Sequence, residues 1–376
     1  MAVSATFADD RCRRLVGGHA CPVQCAAWSP DGCWTATADR NGCIQIWRAV
    51  TTAPDASSGG GAALPVAYTF PHRSNDAVTA MTFSDDATLV AATSRGKVDT
   101  LDLHTMSLIK SSSHFAAPRG VEAPPSHCIA NCVASAATGG ATRGDICAVG
   151  YDDNTLSLFD ARIGKRFAQE TLASPVTSVT FDSSGSLLLC GSVDGHVGCY
   201  DTRGGRTPSE VNPANTRSRS TLALDWTLEA HADVVSDIIR CKASRRLVSV
   251  GMDGAIALVD IGPYAASSEE RLLTIAPHDD PNPDRALLRG DVTDNDQHVI
   301  LGCSHGGVNV YALSTSTHPS ITLTAKFMSS HHAAINQTCV APAAAGHRSD
   351  LQPGEVLLVM ASSDGTASIS PFRVPG

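Results

Sequence analysis

The chain is poor in aromatic residues and in charge for its length. Of its 376 residues only 5% are aromatic and 17% are charged, whereas 43% are hydrophobic. The core therefore has to be built mainly from Ala, Val, Leu and Ile. The formal net charge is −9, which argues against a general nucleic-acid binder, because phosphate recognition draws on clustered Lys and Arg. This composition fits a soluble protein with a single all-β domain.

Long apolar runs and familiar catalytic motifs are also missing. No run approaches the roughly 18 residues that span a bilayer, and the first residues, MAVSATFADDRCRRLV, lack the apolar core of a signal peptide. We therefore expect no membrane association and a cytoplasmic or nuclear location. The sequence contains no GxxxxGK phosphate loop, no GxSxG elbow and no HExxH helix. We expect no catalytic residues, no cofactor and no metal, and hence no enzyme activity.

Cysteine is not scarce, since the chain has 13 of them. The odd count, the position of most of them in predicted strands and the lack of a secretion signal favour reduced, small hydrophobic residues over disulfides. The closest pairs, Cys21 with Cys25 and Cys128 with Cys132, are spaced CxxxC. A zinc site would need a second pair or well-spaced histidines.

One spacing recurs along the whole chain. Each copy contains a polar turn, usually closed by Gly, and we call one residue of this turn the keyed residue. The residue six positions after the keyed residue is often aromatic. The keyed pairs are Asn41 and Trp47, Arg95 and Leu101, Asp153 and Phe159, Asp194 and Tyr200, Asp253 and Val259, His305 and Tyr311, and Asp364 and Ser370. The shortest step between them, 41 residues, matches the roughly 40–45 residues of a four-stranded propeller blade. The repetition indicates one unit stacked against its own copies.

Each repeat is predicted to form three strands followed by a fourth strand that is less apolar. In the fourth repeat, residues 175–182 and 196–201 alternate in polarity, and residues 186–192 form the continuous apolar run of a strand covered on both faces. Less apolar outer strands are predicted at 64–70, 165–172, 222–229 and 321–327. Segments rich in Gly, Pro, Ser and Ala predict loop insertions at 51–63, 111–126, 135–144, 203–221 and 342–354.

These repeats resemble the WD-repeat β-propeller family over residues 11–373. The first repeat carries the likeness best, through Gly18-His19, the AWSPDG turn at 27–32 and Trp47. The resemblance implies an all-β fold, a seven-bladed β-propeller of four-stranded antiparallel blades, preceded by a tail at 1–10. Third strands are expected to end near residues 48, 102, 160, 201, 260, 312 and 371. Blades 2, 6 and 7 depart most from the pattern, which leaves six or eight blades as alternatives.

The two ends of the chain are expected to close the ring. Strands are predicted at 334–341, 355–362 and 366–372 with no fourth strand after them, and residues 12–16 precede the first repeat without a blade of their own. If this N-terminal strand joins the last blade, two exposed sheet edges are covered. Deletion of residues 1–17 should then destabilise the domain.

In the family, four side chains form a hydrogen-bonded set within a blade, and His19, Thr37, Asp39 and Trp47 match it. Their implied role is structural, since a buried indole and imidazole need partners. Asp39 comes two residues before the keyed turn residue, so either Asp39 or Asn41 can hold the acceptor position. Further histidines precede first strands in the same way: His231, His278, and either His331 or His332.

The family resemblance implies a non-catalytic scaffold that binds other proteins as a subunit of a multiprotein complex. Loops before first strands and turns between second and third strands gather on one face in this family. The expected contact residues there are Arg40, Arg95, Asp152, His196 and His305. Adjacent acids such as Asp279-Asp280 are expected to be solvated turn residues. The first strands carry little that ionises besides Asp237, which argues against an enzyme, and Arg289 is expected to lie in a strand.

An alternative function rests on two neighbouring repeats. PheAspAlaArg at 159–162 and TyrAspThrArg at 200–203 resemble the WDxR box by which some family members dock on the adaptor of cullin-type ubiquitin ligases. The resemblance makes Arg162 and Arg203 the adaptor-contact residues of a substrate receptor. Local pairing of these arginines with Asp160 or Asp201 is the structural alternative.

Overall fold

The computed structural model describes residues 3–6, 13–16, 19–48, 64–70, 76–113, 128–136, 146–203, 222–265, 267–314, 318–342 and 354–373. Their regular secondary structure is β-strand, apart from one short 3-10 turn at Glu269–Arg271, so the all-β expectation is confirmed. Among the residues described, no helix is long and apolar enough to cross a membrane.

Seven antiparallel sheets of four strands form a ring, as predicted. In each blade the first strand is innermost and the last is outermost. Blade 1 contains β3 (Val23–Trp28), β4 (Trp34–Asp39), β5 (Ile44–Arg48) and β6 (Leu64–Phe70); blade 2 contains β7 (Val78–Phe83), β8 (Thr88–Thr93), β9 (Lys97–Asp102) and β10 (Ser107–Ser113). Blade 3 contains β11 (Ala130–Ser135), β12 (Ile146–Tyr151), β13 (Thr155–Asp160) and β14 (Lys165–Thr171).

The other blades repeat this order. Blade 4 contains β15 (Val176–Phe181), β16 (Leu187–Ser192), β17 (His196–Asp201) and β18 (Ala223–Glu229); blade 5 contains β19 (Val235–Arg240), β20 (Arg246–Gly251), β21 (Ala255–Asp260) and β22 (Leu272–Pro277). Blade 6 contains β23 (Gly290–Val292), β24 (His298–Gly302), β25 (Gly307–Ser314) and β26 (Ser320–Met328), and blade 7 starts with β27 (Ile335–Val340), β28 (Glu355–Ser362) and β29 (Ala367–Arg373). The third strands end within two residues of the predicted positions.

The ring closes through the N-terminal strand β2 (Arg13–Val16), as expected from the sequence. Its residue Leu15 lies opposite Ala367 of β29 in an antiparallel pair and opposite Leu64 of β6 in a parallel pair. Strand β2 therefore supplies the fourth strand of blade 7 and joins that blade to blade 1. Leu15 is 5% exposed and packs in one core cluster with Trp47 and Ile369.

A second N-terminal strand, β1 (Val3–Thr6), was not predicted. It pairs in parallel with β26, with Val3 opposite Ala325, and adds a fifth strand to blade 6. The expected tail at 1–10 is thus partly a strand, because the outer edge of β26 offers unpaired backbone groups to any extended segment.

The turn between second and third strands explains why the sequence repeat is usually closed by Gly. One residue of each such turn has a φ between 68° and 84°, a left-handed conformation that a Cβ disfavours. Six of these residues are glycines and the seventh is an Asn, which tolerates the same conformation. They are Gly42, Gly96, Asn154, Gly195, Gly254, Gly306 and Gly365.

The residue six positions after the keyed turn residue is buried in every blade. The aromatic members Trp47, Phe159, Tyr200 and Tyr311 are at most 8% exposed, and Leu101, Val259 and Ser370 are equally buried. In blade 5, which lacks the aromatic, a neighbouring ring packs into the same core cluster, and blade 7 has a buried Phe two residues further along its third strand. Trp226 of β18 shares a core cluster with Val259, and Phe372 contacts Phe327 with ring centroids 4.7 Å apart.

Most of the predicted insertions lie outside the described residues. Strand β10 runs to Ser113, so the first three residues of the expected insertion 111–126 belong to a strand, and Ser135 at the start of 135–144 ends β11. The twelve cysteines within the described ranges are free thiols.

Candidate functional site

In blade 1 the four predicted side chains form one connected set. Trp47 Nε1 donates to Thr37 Oγ1 at 2.9 Å, and His19 Nε2 lies 2.8 Å from the same oxygen. His19 Nδ1 lies 2.9 Å from Asp39 Oδ2, and because a carboxylate only accepts, Nδ1 carries the proton. Burial acts to raise the pKa of Asp39, but hydrogen bonds from His19 and from backbone N–H groups outweigh it and leave the pKa below its usual value. Asp39, not Asn41, is therefore the acceptor.

Blades 5 and 7 contain related sets without the indole. In blade 5, His231 Nε2 lies 2.9 Å from Ser249 Oγ and Nδ1 lies 3.1 Å from Asp253 Oδ1. Burial lowers the pKa of His231, against the attraction of Asp253. In blade 7, His331 takes the position, with Nδ1 3.1 Å from Asp364 and Nε2 2.8 Å from Ser368 Oγ.

The hydroxyl in blade 7 comes from a different strand. Ser368 belongs to the third strand, whereas Thr37 and Ser249 belong to second strands. The position in blade 7 that corresponds to Thr37 holds Met360, and Met360 lies directly opposite Ser368 in the sheet. The same hydroxyl position can thus be filled from either of two paired strands.

In blades 2 and 3, other residues hold the loop before the first strand against the turn between the second and third strands. In blade 2 the acid lies before the first strand: Asp76 Oδ1 is 2.6 Å from Arg95 Nε, and its Oδ2 is 3.1 Å from Lys97 Nζ. In blade 3, Asp152 Oδ1 accepts a hydrogen bond from Ile129 N at 2.8 Å. Arg95 and Asp152 therefore both contribute to the blade structure.

In blade 6, Asp280 anchors the turn. Its carboxylate accepts hydrogen bonds from Ser304 N at 2.8 Å and from Ser304 Oγ at 2.7 Å. The Asp280 side chain is fully buried, so the expectation of a solvated turn acid is wrong for Asp280, whereas the Asp279 side chain is 57% exposed. The preceding His278 contacts the hydroxyl of Tyr311 at 2.9 Å instead of a turn acid.

These contacts define two faces of the ring. The loop before each first strand touches the turn between second and third strands of the same blade, as between His19 and Asp39, so loop and turn lie on one face, which we call the upper face. All five predicted contact residues lie at such turns: Arg40, Arg95, Asp152, His196 and His305. Arg40 is exposed, and the His196 and His305 side chains are 39% and 50% exposed.

Arg162 and Arg203 lie on the opposite, lower face, just after the third strands of blades 3 and 4. The Arg203 guanidinium binds Asp201, with Nη2 2.7 Å from Oδ2 and Nε 3.1 Å from Oδ1, and this pairing holds the pKa of Asp201 below its usual value. Arg162 is exposed, and its backbone N donates to Asp160 Oδ1 at 3.0 Å. Local pairing, the structural alternative, is thus observed for Arg203.

A cavity of about 420 Å³ runs between the first strands of all seven blades. Six first strands carry a β-bulge, and its extra residue is polar each time. The bulge residues are Gln24, Thr79, Asn131, Thr177, Ser236 and Asn336. Several of them bind a carbonyl of the next blade: Asn131 Nδ2 donates to Val176 O at 2.8 Å and Asn336 Nδ2 to Val23 O at 2.7 Å. These polar bulge residues were not predicted, although they share one signal in the sequence, a polar residue at the second position of the first strand.

In blade 6 the corresponding position holds Arg289, which precedes β23 and was wrongly expected to lie in a strand. Its guanidinium reaches across the channel, where Nη1 donates to Thr79 O at 3.1 Å and Nη2 to Asn131 O at 2.7 Å. Nearby, Asp237 accepts hydrogen bonds from Ser178 Oγ at 2.9 Å and Gly290 N at 3.0 Å. Burial raises the pKa of Asp237 to about 6, although Arg289 acts to lower it.

The channel is thus richer in ionisable groups than the sequence suggested, because Arg240, Lys242 and Asp291 also line it. Arg289 and Asp237 bind mainly backbone groups, and these contacts link blade 6 to blades 2, 3 and 5. These contacts form a network that stabilises the ring.

Comparison with known proteins agrees with this geometry. The family model described as "WD domain, G-beta repeat" matches residues 10–48 and 168–201, which contain the first repeat with its complete hydrogen-bonded set and most of the fourth. These two matches cover about a fifth of the chain and, together with the seven-bladed ring, support a WD-repeat β-propeller. Propellers of this family generally bind other proteins and are generally not catalytic. The search of curated proteins found no match.

Proposed function

We propose that the protein is a non-catalytic scaffold that holds other proteins in a multiprotein complex and binds them through its upper face. The observation that carries the proposal is the placement of Arg40, Arg95, Asp152, His196 and His305 at corresponding turns of five blades. Groups that could otherwise serve catalysis, such as His19 and His231, are used in hydrogen bonds within a blade.

The contacts beneath the upper face give it a fixed shape. In blades 1, 2 and 5 an ion pair or hydrogen bond ties the loop before the first strand to the following turn. A surface that is ordered before binding loses less conformational entropy when a partner binds. Arg40 and His196 are the best contact candidates, because the side chain of neither forms part of these ties.

The test is affinity purification of the tagged full chain followed by mass spectrometry. The variant that replaces Arg40 and His196 by Glu adds negative charge to the upper face and should lose the main partners. The matched control replaces Arg162 and Arg203 by Ala on the lower face and should keep them. Recovery of the same proteins by both variants would contradict binding through the upper face.

A substrate receptor of a cullin-type ubiquitin ligase is the second candidate. It is favoured by the corresponding positions of Arg162 and Arg203 at the ends of adjacent third strands, both with exposed side chains. An adaptor would have to compete with Asp201 for Arg203. The same purification tests this candidate. If the protein is a receptor, the unchanged chain should recover a cullin and its adaptor, and the Arg162→Ala, Arg203→Ala variant should recover neither. A protein that recovers neither is not such a receptor.

We place this scaffold in the cytoplasm or nucleus. The twelve cysteines of the described ranges are free thiols, which fits a reducing compartment. Fractionation of cells that express the tagged chain tests this assignment, and recovery in the secretory pathway would contradict it.

A further inference from the structure

Two groups of three side chains in the described part of the chain bring possible metal-ligand atoms within 4.8 Å of one another. One group is His19, Asp39 and Cys43, and the other is Asp280, Cys303 and His305. In the first group both ring nitrogens of His19 already have partners, Asp39 and Thr37. A metal there would have to break the structural set of blade 1, so this group is not a candidate.

The second group lies in blade 6 on the upper face. Cys303 and His305 belong to the turn between β24 and β25, and Asp280 comes from the loop before β23. His305 Nδ1 lies 3.6 Å from Asp280 Oδ1, which is too long for a hydrogen bond. Zinc–ligand bonds of about 2.0–2.3 Å in a tetrahedron place neighbouring ligand atoms about 3.3–3.8 Å apart. The observed spacing therefore suits two ligands of one ion.

The surroundings support a site that is held in place and yet accessible. Cys303 is fully buried, and Ser304 orients the Asp280 carboxylate through its backbone N–H and its hydroxyl. Such bonds to a ligand fix its direction. The half-exposed imidazole of His305 opens the group to solvent, and a cavity of about 270 Å³ lined by Asp280, His278 and Gly302 adjoins it.

We propose that Asp280, Cys303 and His305 bind a zinc ion. A thiol, an imidazole and a carboxylate are the ligands that zinc takes in proteins, whereas magnesium and calcium prefer oxygen alone. Zinc would replace the proton of the Cys303 thiol, which passes to solvent. Three protein ligands leave one tetrahedral position for water or for a side chain of a bound partner. This inference goes beyond the proposed scaffold function and does not depend on it.

The direct test uses the full chain without a histidine tag, stripped of metal by a chelator. We expect it to bind one equivalent of cobalt(II) with a tetrahedral spectrum and a thiolate-to-metal charge-transfer band, and zinc to displace the cobalt. The variant Cys303→Ser should lose the charge-transfer band. Both Cys303→Ser and His305→Ala should bind zinc at least about tenfold more weakly in competition with a chromogenic chelator.

Two control variants match these changes in residue type. Cys43→Ser removes a thiol from the other group, and His196→Ala removes a half-exposed histidine of the same face; both should bind zinc like the unchanged chain. Cys303 is buried, so its replacement can prevent folding. If Cys303→Ser does not fold, the zinc affinity of His305→Ala relative to the unchanged chain tests the proposal. At the same zinc concentration, zinc should raise the melting temperature of the unchanged chain more than that of His305→Ala. Absence of stoichiometric binding, or equal affinity in His305→Ala, would overturn the proposal.

Discussion

Arg95 and Asp76 form an ion pair in blade 2 that reverses the arrangement of blades 1, 5 and 7. In those blades a histidine precedes the first strand and an acid lies at or near the turn, whereas in blade 2 the acid precedes the strand and the cation lies in the turn. The Asp76 side chain is fully buried, and Arg95 is 63% exposed. The blade thus keeps the attraction between loop and turn while exchanging the two signs of charge.

Replacement of Arg95 by Ala should therefore destabilise the protein. It leaves the buried Asp76 carboxylate with Lys97 as its remaining cation, and we expect a loss of about 1–3 kcal/mol in the free energy of unfolding. The matched control Arg40→Ala removes an exposed arginine from the corresponding turn of blade 1 and should change stability by less than about 0.5 kcal/mol. Urea unfolding measures both. Equal effects would show that the pair has no structural role.

Ser368 should be needed for the stability of blade 7. It is the partner of the buried His331 Nε2, and Ser368→Ala would leave that nitrogen without the hydroxyl, at a cost of about 1–3 kcal/mol. Ser174→Ala, in the loop between blades 3 and 4, is a control for loss of a serine hydroxyl outside such a set. Thermal unfolding followed by circular dichroism compares the two. A melting temperature of Ser368→Ala as high as that of the control would contradict the assignment.

The blades could be predicted because their signals are local in sequence. The left-handed residue of each turn is Gly or Asn whatever surrounds it, and the buried third-strand residue, such as Trp47, follows the keyed residue at a fixed spacing within the same repeat. The set around His19 follows from the same spacing. These features need no knowledge of neighbouring blades.

The features that were missed depend on contacts between distant parts of the chain. From the sequence alone, Asp280 is expected to be a solvated turn acid, but the fold places Ser304 in contact with it. Arg289 is expected to be a strand residue, but the ring brings Thr79 and Asn131 into contact with its guanidinium. The strand β1 pairs with residues more than 300 positions away. None of these pairings leaves a periodic signal in the sequence.

Leu15 should contribute to the stability of the whole ring. It is 5% exposed in the strand that joins blades 7 and 1, and truncation of a buried Leu to Ala typically costs about 2–5 kcal/mol. The control Leu224→Ala changes a leucine that is 57% exposed on the outer strand of blade 4 and should be nearly neutral. Deletion of residues 1–17 should have a larger effect than Leu15→Ala. A deletion variant that unfolds at the same urea concentration as the full chain would refute closure by β2.

Asp237 should make the stability of the protein depend on pH. Its pKa in the folded protein is about 6, above the ordinary value of 3.8, so between these values the folded state binds more protons than the unfolded state. Its contribution is therefore fully present below pH 3.8 and is lost as the pH rises through 6. Between about pH 4.5 and about pH 7 this amounts to a loss on the order of 2 kcal/mol in the free energy of unfolding.

The buried His231, whose pKa is lowered, contributes with the opposite sign, because its stabilisation is lost as the pH falls below 6.5. Asp237→Asn removes only the first contribution, so the difference between the unchanged chain and this variant, measured by urea unfolding at both pH values, isolates it. A difference that stays constant between the two pH values would show that Asp237 does not titrate in the channel.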